Sequence, residues 1–215
     1  MEFQDVIQTT GACRAYKPDP IPDDVLRRVL DAARYAPTGG NRQGVRLIAV
    51  RDPAKRRTLR DLYLPIWKAY VGRLAPDGFA GHPREAMLRR ADAFAEGLHD
   101  VPVLVVVCAV LDDLLATDAQ LGRLSIVGGA SVYPAVQNLM LKAREEGLGT
   151  ALTTLLCMVE PDVKRLLGIP ADVATAALVP LGYPARGFPK RLERRPLDGI
   201  AFLDTFGKPL SSITS

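Results

Sequence analysis

The apolar positions of this chain alternate between a spacing typical of helices and continuous runs typical of strands. Residues 21–36 carry apolar side chains at positions 25, 26, 29, 30 and 33, after a proline and two aspartates, which predicts a helix with one apolar face. The same spacing predicts four more helices, at residues 54–72, about 84–98, 128–146 and about 160–167. Apolar runs predict strands at residues 45–52, 101–110, 150–156 and 175–184.

The run at 101–110, "VPVLVVVCAV", is apolar at almost every position, so we expect it in the middle of a sheet that is covered on both faces. Strands and helices alternate along the chain, which favours an α/β outline with four or five strands. A length of 215 residues with 48% hydrophobic content is enough for a sizeable core, and we treat residues 1–215 as one domain.

Charge and cysteine content exclude several classes of protein. The chain has 28 basic and 24 acidic residues, a mild excess that permits an anionic small-molecule ligand without indicating nucleic acid. Cys13, Cys108 and Cys157 are far apart in sequence, so we expect buried thiols and neither a disulfide framework nor a metal site. No apolar run approaches the ~18 residues of a membrane span, and the N-terminus lacks a signal-peptide core. These features predict a cytoplasmic protein that does not enter the membrane.

Common catalytic motifs are absent from the sequence. It contains no GxxxxGK[ST], GxGxxG, GxSxG or HExxH pattern. The two histidines, His82 and His99, have no neighbouring nucleophile, and we assign them surface or helix-end roles. The sequence therefore disfavours a hydrolase that depends on histidine.

The segment "YAPTGGNRQGVRLIAV", residues 35–50, joins a predicted helix to a predicted strand through a turn that is poor in side chains. Its glycines would let a ligand approach the backbone, and Thr38, Asn41 and Gln43 offer hydrogen bonds to a polar heterocycle. The same residues also fit an ordinary helix stop and connecting loop. The spacing leaves both interpretations open.

Three blocks of the chain together resemble the flavin-dependent nitroreductase family. They contain "AARYAPTGGNRQG" within residues 9–52, "AVQNLMLKAREEGLGTALTTLL" within 133–156, and "PLGYPARGFPKRLERRPL" within 180–202. The resemblance implies an α+β fold, with a central, mostly antiparallel sheet of four or five strands flanked by helices. It also implies an entwined homodimer that binds two FMN molecules between its subunits.

The resemblance further implies which residues bind the cofactor. One subunit would reach the ribityl chain and pyrimidine edge of FMN through Thr38, Gly39, Asn41 and Gln43. The other would supply Thr153, Thr154 and Leu155 near flavin N5, while Gln137 would either contact the cofactor or be a satisfied amide on the dimer helix. Three aromatic residues either line the acceptor side or pack in the core: Trp67, Tyr70 and Phe79. NAD(P)H would reduce the flavin, and a nitroaromatic, quinone or related flat acceptor would then reoxidise it in the same cleft.

The phosphate-binding block departs from the family pattern. Members usually begin with Arg-[Arg/His]-Ser-x-[Arg/Lys]-x-Phe, whereas residues 10–12 here read "TGA". Arg14 remains, and Arg195 matches the family's final phosphate arginine, with Arg191 and Arg194 nearby in reserve. We therefore expect these arginines at the phosphate. The missing cations leave open a deazaflavin in place of FMN, or a protein that binds a flavin with little turnover. A basic nucleic-acid module is disfavoured, because lysine and arginine are dispersed.

Overall fold

A four-stranded sheet lies at the centre of the protein, which we describe from a computed structural model over residues 1–210. The strands, in chain order, are β1 (Val45–Val50), β2 (Val103–Val110), β3 (Gly149–Thr150) and β4 (Val173–Gly182). They lie in the order β1-β2-β4-β3, and every neighbouring pair is antiparallel. The α/β outline drawn from alternation alone was wrong and the α+β fold is confirmed, because hydrophobic spacing reports the type of an element and not the direction of a strand.

Six α-helices surround this sheet within residues 1–210. They are α1 (Phe3–Thr9), α2 (Asp23–Ala33), α3 (Pro53–Leu74), α4 (Glu85–Glu96), α5 (Tyr133–Glu145) and α6 (Glu160–Leu167). The five helices predicted from periodicity are confirmed, although the helix predicted at 128–146 begins only at Tyr133. Helix α1 was not predicted from the sequence, because its seven residues are too few to show a clear helical periodicity.

Strand β2 is buried on both faces, as its composition predicted. Leu104 and Val106 pack into one apolar cluster with α3 and α4, whereas Val103 and Val105 pack into a second cluster with α2 and α5. This division follows from the alternation of side chains across a strand. The hydrophobic core is therefore two layers, one on each side of the sheet.

The strand predicted at residues 150–156 is mostly wrong. Only Gly149 and Thr150 pair with β4 as a strand, and a single bridge joins Thr153 to Leu178. The chain then turns into a short 3₁₀ helix, Leu155–Val159. This edge is also occupied by another segment, since the Cys13 amide donates to the Thr150 carbonyl at 2.7 Å. The composition of residues 150–156 suits a longer strand, but contacts with β4 and with the N-terminal segment limit the strand to two residues.

The N-terminal and C-terminal segments are tied to this edge of the sheet. Ala12 bridges Thr150, and Tyr16 bridges Pro184 just beyond β4. Farther along, the Leu192 amide donates to the carbonyl of Gln8 at 2.8 Å. Two segments distant in sequence are therefore held side by side next to β3.

Membrane spans, metal clusters and cysteines were also considered from the composition, and the structure describes each of them. No helix within residues 1–210 has the length and apolarity needed to cross a membrane. The same residues contain no cluster of side chains suited to hold a metal ion. All three cysteines are free, and Cys108 is buried as expected, but Cys13 and Cys157 are only partly buried.

We expect Gly149→Ala to destabilise the protein and Gly72→Ala to stabilise it. A Cβ at Gly149 would lie 2.7 Å from both Cβ and Sγ of Cys13, whereas a Cβ at Gly72, inside α3, meets no atom within 4 Å. Overpacking typically costs about 1–3 kcal/mol. Replacing a helical glycine by alanine gains about 0.5–1 kcal/mol. Denaturant unfolding of both variants checks the prediction.

A double variant, Cys13→Gly/Gly149→Ala, tests whether Cys13 causes the destabilisation. The change at Cys13 removes the two atoms that the new methyl group would meet. The double variant should then show a smaller destabilisation than the sum of the two single changes. Strict additivity would contradict the proposed contact.

Candidate functional site

The side-chain-poor turn between α2 and β1 is held by two hydroxyl groups. It contains a short 3₁₀ helix, Gly39–Asn41, and the backbone amide of Gln43 donates to Thr38 Oγ1 at 3.1 Å. The Gly39 amide donates to Ser131 Oγ at 3.0 Å, which ties the turn to the segment before α5. The turn is therefore built into the fold, although its residues 39–43 are exposed.

Two residues of the turn adopt a backbone conformation that non-glycine residues rarely use. Asn41 has φ of 54° and Gln43 has φ of 55°, both in the left-handed region. Their side chains contact each other, since Gln43 Nε2 donates to Asn41 Oδ1 at 3.2 Å. Strained backbone of this kind is concentrated at functional sites, and here it displays two amide side chains at the surface.

A cavity of about 500 Å³ borders this turn. Thr38 and Gly39 form one wall, and Leu115, Val127 and Ser131, from the connection between β2 and α5, form part of the other. The cavity thus combines backbone and hydroxyl groups on one side with apolar side chains on the other. Such a surface fits a flat ligand with one polar edge.

The connection between β2 and α5 is organised by Asp118. Its carboxylate accepts hydrogen bonds from Ser125 Oγ at 2.6 Å, from the Ile126 amide at 3.0 Å and from the Arg123 guanidinium at 2.8 Å. These donors, led by Ser125, lower the pKa of Asp118 to about 2. A long connection without regular strands is therefore anchored at one carboxylate.

A second group of predicted residues lies near the β3 edge of the sheet. The Thr153 hydroxyl is 3.3 Å from the hydroxyl of Tyr63, which α3 contributes, and Thr154 is exposed beside it. Burial raises the pKa of Tyr63, while its hydrogen bond to Thr153 and the positive charge of Arg14 act in the opposite direction. Tyr63 thus links α3 to Thr153. Leu155 begins the 3₁₀ helix that follows.

Arg14 lines a second cavity, of about 680 Å³. Arg90 of α4 and Arg186, just after β4, line the same cavity. Arg191 and Arg195 are exposed and are not among the lining residues. The arginines that share a cavity with Arg14 are therefore Arg90 and Arg186.

The remaining predicted residues lie elsewhere. Gln137 is exposed on α5. Trp67 is buried against the core, and its indole Nε1 donates to Asp92 at 2.8 Å. Tyr70 is exposed with its ring 6.0 Å from that of Trp67, and Phe79 is partly buried. Of the three aromatic residues, Tyr70 thus presents the most open surface.

The turn borders one cavity and Arg14 lines the other, whereas Thr153, Thr154 and Leu155 line neither of them. Several residues near these features were not predicted from the sequence. Ser131, Tyr63, Arg90 and Arg186 were missed. Tyr63 lies on the apolar face of α3 and looked like a core residue, while Arg90 lies in a charged helix with several arginines. Only Arg186 was within a block that resembled a family, so a closer search of that block could have found it.

Comparisons with known proteins found similarity both in sequence and in fold. A family model described as "Nitroreductase family" matches residues 7–183. An NADH dehydrogenase of Thermus thermophilus is 30% identical over 87% of this chain and 88% of its own length. A 5,6-dimethylbenzimidazole synthase of Rhodospirillum rubrum is 32% identical over 84% of this chain and 82% of its own. A crystal structure of iodotyrosine deiodinase bound to FMN and 3-iodo-L-tyrosine has a TM-score of 0.70 at 22% identity, over 95% of this chain and 100% of that one.

We expect the contribution of Asp118 to stability to disappear in acid. Because its pKa in the folded protein is lowered to about 2, the stabilisation is complete above the unfolded value, about 3.9, and is lost as pH falls toward 2. The difference in unfolding free energy between the wild type and Asp118→Asn should therefore shrink between about pH 5 and pH 2. Urea titrations across this range measure it.

Glu146, whose pKa is also lowered to about 2 by Arg28 and Lys142, titrates equally in both proteins and cancels from the difference. A difference that stays constant with pH would show that the Asp118 carboxylate does not anchor the connection.

Proposed function

The chain belongs to the nitroreductase family, and from this premise we propose that it is an FMN-dependent oxidoreductase. It passes reducing equivalents from NAD(P)H to nitroaromatic, quinone or related flat acceptors by a ping-pong mechanism. The observation that carries the proposal is the exposed turn at residues 38–43, whose left-handed Asn41 and Gln43 are held by Thr38 and Ser131. Left-handed backbone at residues other than glycine is concentrated at functional sites, which supports a binding role for this turn.

The available donor groups fit FMN. The flavin has a polar pyrimidine edge, a hydroxylated ribityl chain and a phosphate, which need amide, hydroxyl and cationic partners respectively. Asn41 and Gln43 provide amides, Thr38 and Thr153 provide hydroxyls, and Arg14 provides a cation. The FMN-bound relative with the same fold supports this choice.

When bound, FMN would supply the two-electron redox chemistry that connects NAD(P)H to the acceptor. For a quinone, NAD(P)H and one proton yield the hydroquinone and NAD(P)⁺, so the reaction balances without a further reductant. The role of the chain is to bind and orient. Thr153, Thr154 and Leu155 would lie at the N5 side of the flavin, and Asn41 would hydrogen-bond its polar edge.

The acceptor side would be lined by aromatic residues of α3 and of the loop that follows. Tyr70 has an open ring surface, and Trp67 supports it from the core, where Asp92 fixes the indole. Phe79, partly buried after the end of α3, would close the same side. Flat faces of this kind accept many aromatic ligands by stacking, which suits a broad range of acceptors.

A homodimer would bring the two groups of residues together. In one chain, Thr38 and Gly39 border the 500 Å³ cavity, whereas Thr153, Thr154 and Leu155 do not line it. Each complete site would therefore combine the two groups from different subunits. Apolar side chains exposed in one chain would be covered on dimerisation. Five of them lie on the connection between β2 and α5: Leu111, Leu115, Leu121, Leu124 and Ile126. Gln137 is exposed on α5, so the same dimer would allow it to contact the cofactor.

An alternative function is the binding or sequestration of a flavin or deazaflavin with little turnover, which the altered residues 10–12 favour. A cytoplasmic location, and the absence of nucleic acid among the partners, stay predictions from composition.

The visible spectrum of the purified protein tests the proposed function. We expect the absorbance of an oxidised flavin, bleached by NADH or NADPH without oxygen and restored by added quinone. Reduction without reoxidation by any quinone or nitroaromatic would favour the sequestering protein. A protein that binds neither FMN nor a deazaflavin would contradict both functions.

The same sample tests the homodimer. Sedimentation at micromolar concentration should give twice the chain mass of 23.3 kDa. A monomer that keeps its flavin would show that one chain forms the whole site.

We expect Asn41→Gly to weaken FMN binding by about 1–3 kcal/mol, the cost of leaving a polar group without its partner. Glycine accepts the φ of 54° without strain, so stability should change little. Asn41→Ala should weaken FMN equally but also lower stability, because alanine is strained in this conformation. Titration of the apoprotein with FMN and a thermal melt measure the two effects. Unchanged FMN affinity in both variants would show that Asn41 shapes the turn and does not bind FMN.

A further inference from the structure

Three arginines from separate parts of the chain converge on the 680 Å³ cavity. Arg14 comes from the N-terminal segment, Arg90 from α4, and Arg186 from the turn after β4. The lining contains no aspartate or glutamate. Its other members are glycine, alanine, proline, cysteine, leucine and phenylalanine residues. The cavity therefore carries an uncompensated positive charge.

None of these three guanidinium groups has a hydrogen bond or an ion pair with another residue in the 1–210 range. Their neighbour on α4 behaves differently, since Arg89 is paired with Glu85 at 2.7 Å. Like charges around one cavity repel each other, and an anion placed between them would convert that repulsion into attraction. The fold does not use these three charges, so they are available to a ligand that enters the cavity.

Position 11 explains why the cations come from elsewhere. A Cβ at Gly11 would lie 3.1 Å from Leu192 Cδ2 and 3.3 Å from Pro189 Cγ. The C-terminal segment thus fills the space that a side chain at this position would need. A side chain at position 11 would require Leu192 and Pro189 to shift by a few tenths of an ångström, whereas Arg90 and Arg186 line the cavity from its other walls without such a shift.

We propose that this cavity binds the phosphate monoester of the cofactor, with Arg90 and Arg186 joining Arg14 in place of the cations missing at residues 10–12. The planar fork of arginine suits phosphate because it donates two parallel hydrogen bonds and remains charged. Arg191 and Arg195, expected from the sequence, are outside the cavity. The identity of the phosphate carrier rests on the proposed function, but the anion site does not.

The apolar part of the cavity suits the carbon chain next to the phosphate. Leu192 and Phe188 belong to the lining, and the guanidinium of Arg144 lies 3.8 Å from the centroid of the Phe188 ring. Arg144 Nε also donates to Thr9 Oγ1 at 2.9 Å. The wall formed by the C-terminal segment is therefore held against α1 and α5.

Dissociation constants for FMN and riboflavin, which lacks the phosphate, test the proposal. Arg90→Gln and Arg186→Gln should each raise the dissociation constant for FMN about ten-fold or more, because each removes charge-assisted hydrogen bonds. The value for riboflavin should stay within about two-fold. Arg90→Lys, which keeps the charge and loses the fork, should give a smaller loss. Arg89→Gln, on the same helix but outside the cavity, is the matched control and should change neither value.

Equal losses for FMN and riboflavin would overturn the phosphate assignment. It would also be overturned if Arg195→Gln lost phosphate-dependent affinity while Arg90→Gln and Arg186→Gln did not. The variants concern exposed side chains, so folding should be preserved, and circular dichroism checks it.

Inorganic phosphate separates this proposal from the proposed function. We expect millimolar phosphate to raise the melting temperature of the apoprotein, compared with chloride at equal ionic strength, and the double variant Arg90→Gln/Arg186→Gln to abolish the increase. If phosphate stabilises through these arginines but no flavin binds, the anion site stands and the flavin function fails. If a flavin binds and is reduced but the arginine variants change neither phosphate effect nor FMN preference, the anion site fails alone.

Discussion

The burial of β2 on both faces is the constraint from which the rest of the structure follows. A strand of eight almost wholly apolar residues is stable only when both of its faces are removed from water, so α3 and α4 cover one side while α2 and α5 cover the other. With both faces occupied by helices, the middle of the sheet offers no room for a ligand. The residues with functional chemistry are consequently at the edges and in the connections, where loops are held by a rigid frame.

These connections are positioned by hydrogen bonds that the two-layer core does not provide. Ser131 fixes the turn at 38–43, and Asp118 fixes the connection that carries Ser131. On the opposite edge, the Cys13 amide pairs with the Thr150 carbonyl and thereby positions Arg14. Each candidate group thus depends on a small number of polar contacts between segments distant in sequence.

Charge is distributed unevenly between the frame and the candidate site. Many surface arginines are paired, such as Arg28 with Glu146 and Arg89 with Glu85. The cavity beside β3, in contrast, collects arginines without a single acidic neighbour. The mild basic excess of the whole chain therefore understates the local field, because the arginines that line this cavity are not accompanied there by an acidic residue. A local concentration of one sign is what attracts and holds a small anion.

The sequence by itself determined the helices of α2 to α6, the doubly buried β2 and the family, because periodicity, apolar runs and short motifs are local properties. It also indicated the turn around Asn41, whose glycines and amides are contiguous. Only the tertiary structure decided that the strands are antiparallel, that the run after Gly149 leaves the sheet, and that Arg90 and Arg186 join Arg14. These features depend on which distant segments meet, and nothing in local spacing records it: Arg90 looks like any arginine of a charged helix until α4 is packed against the N-terminal segment.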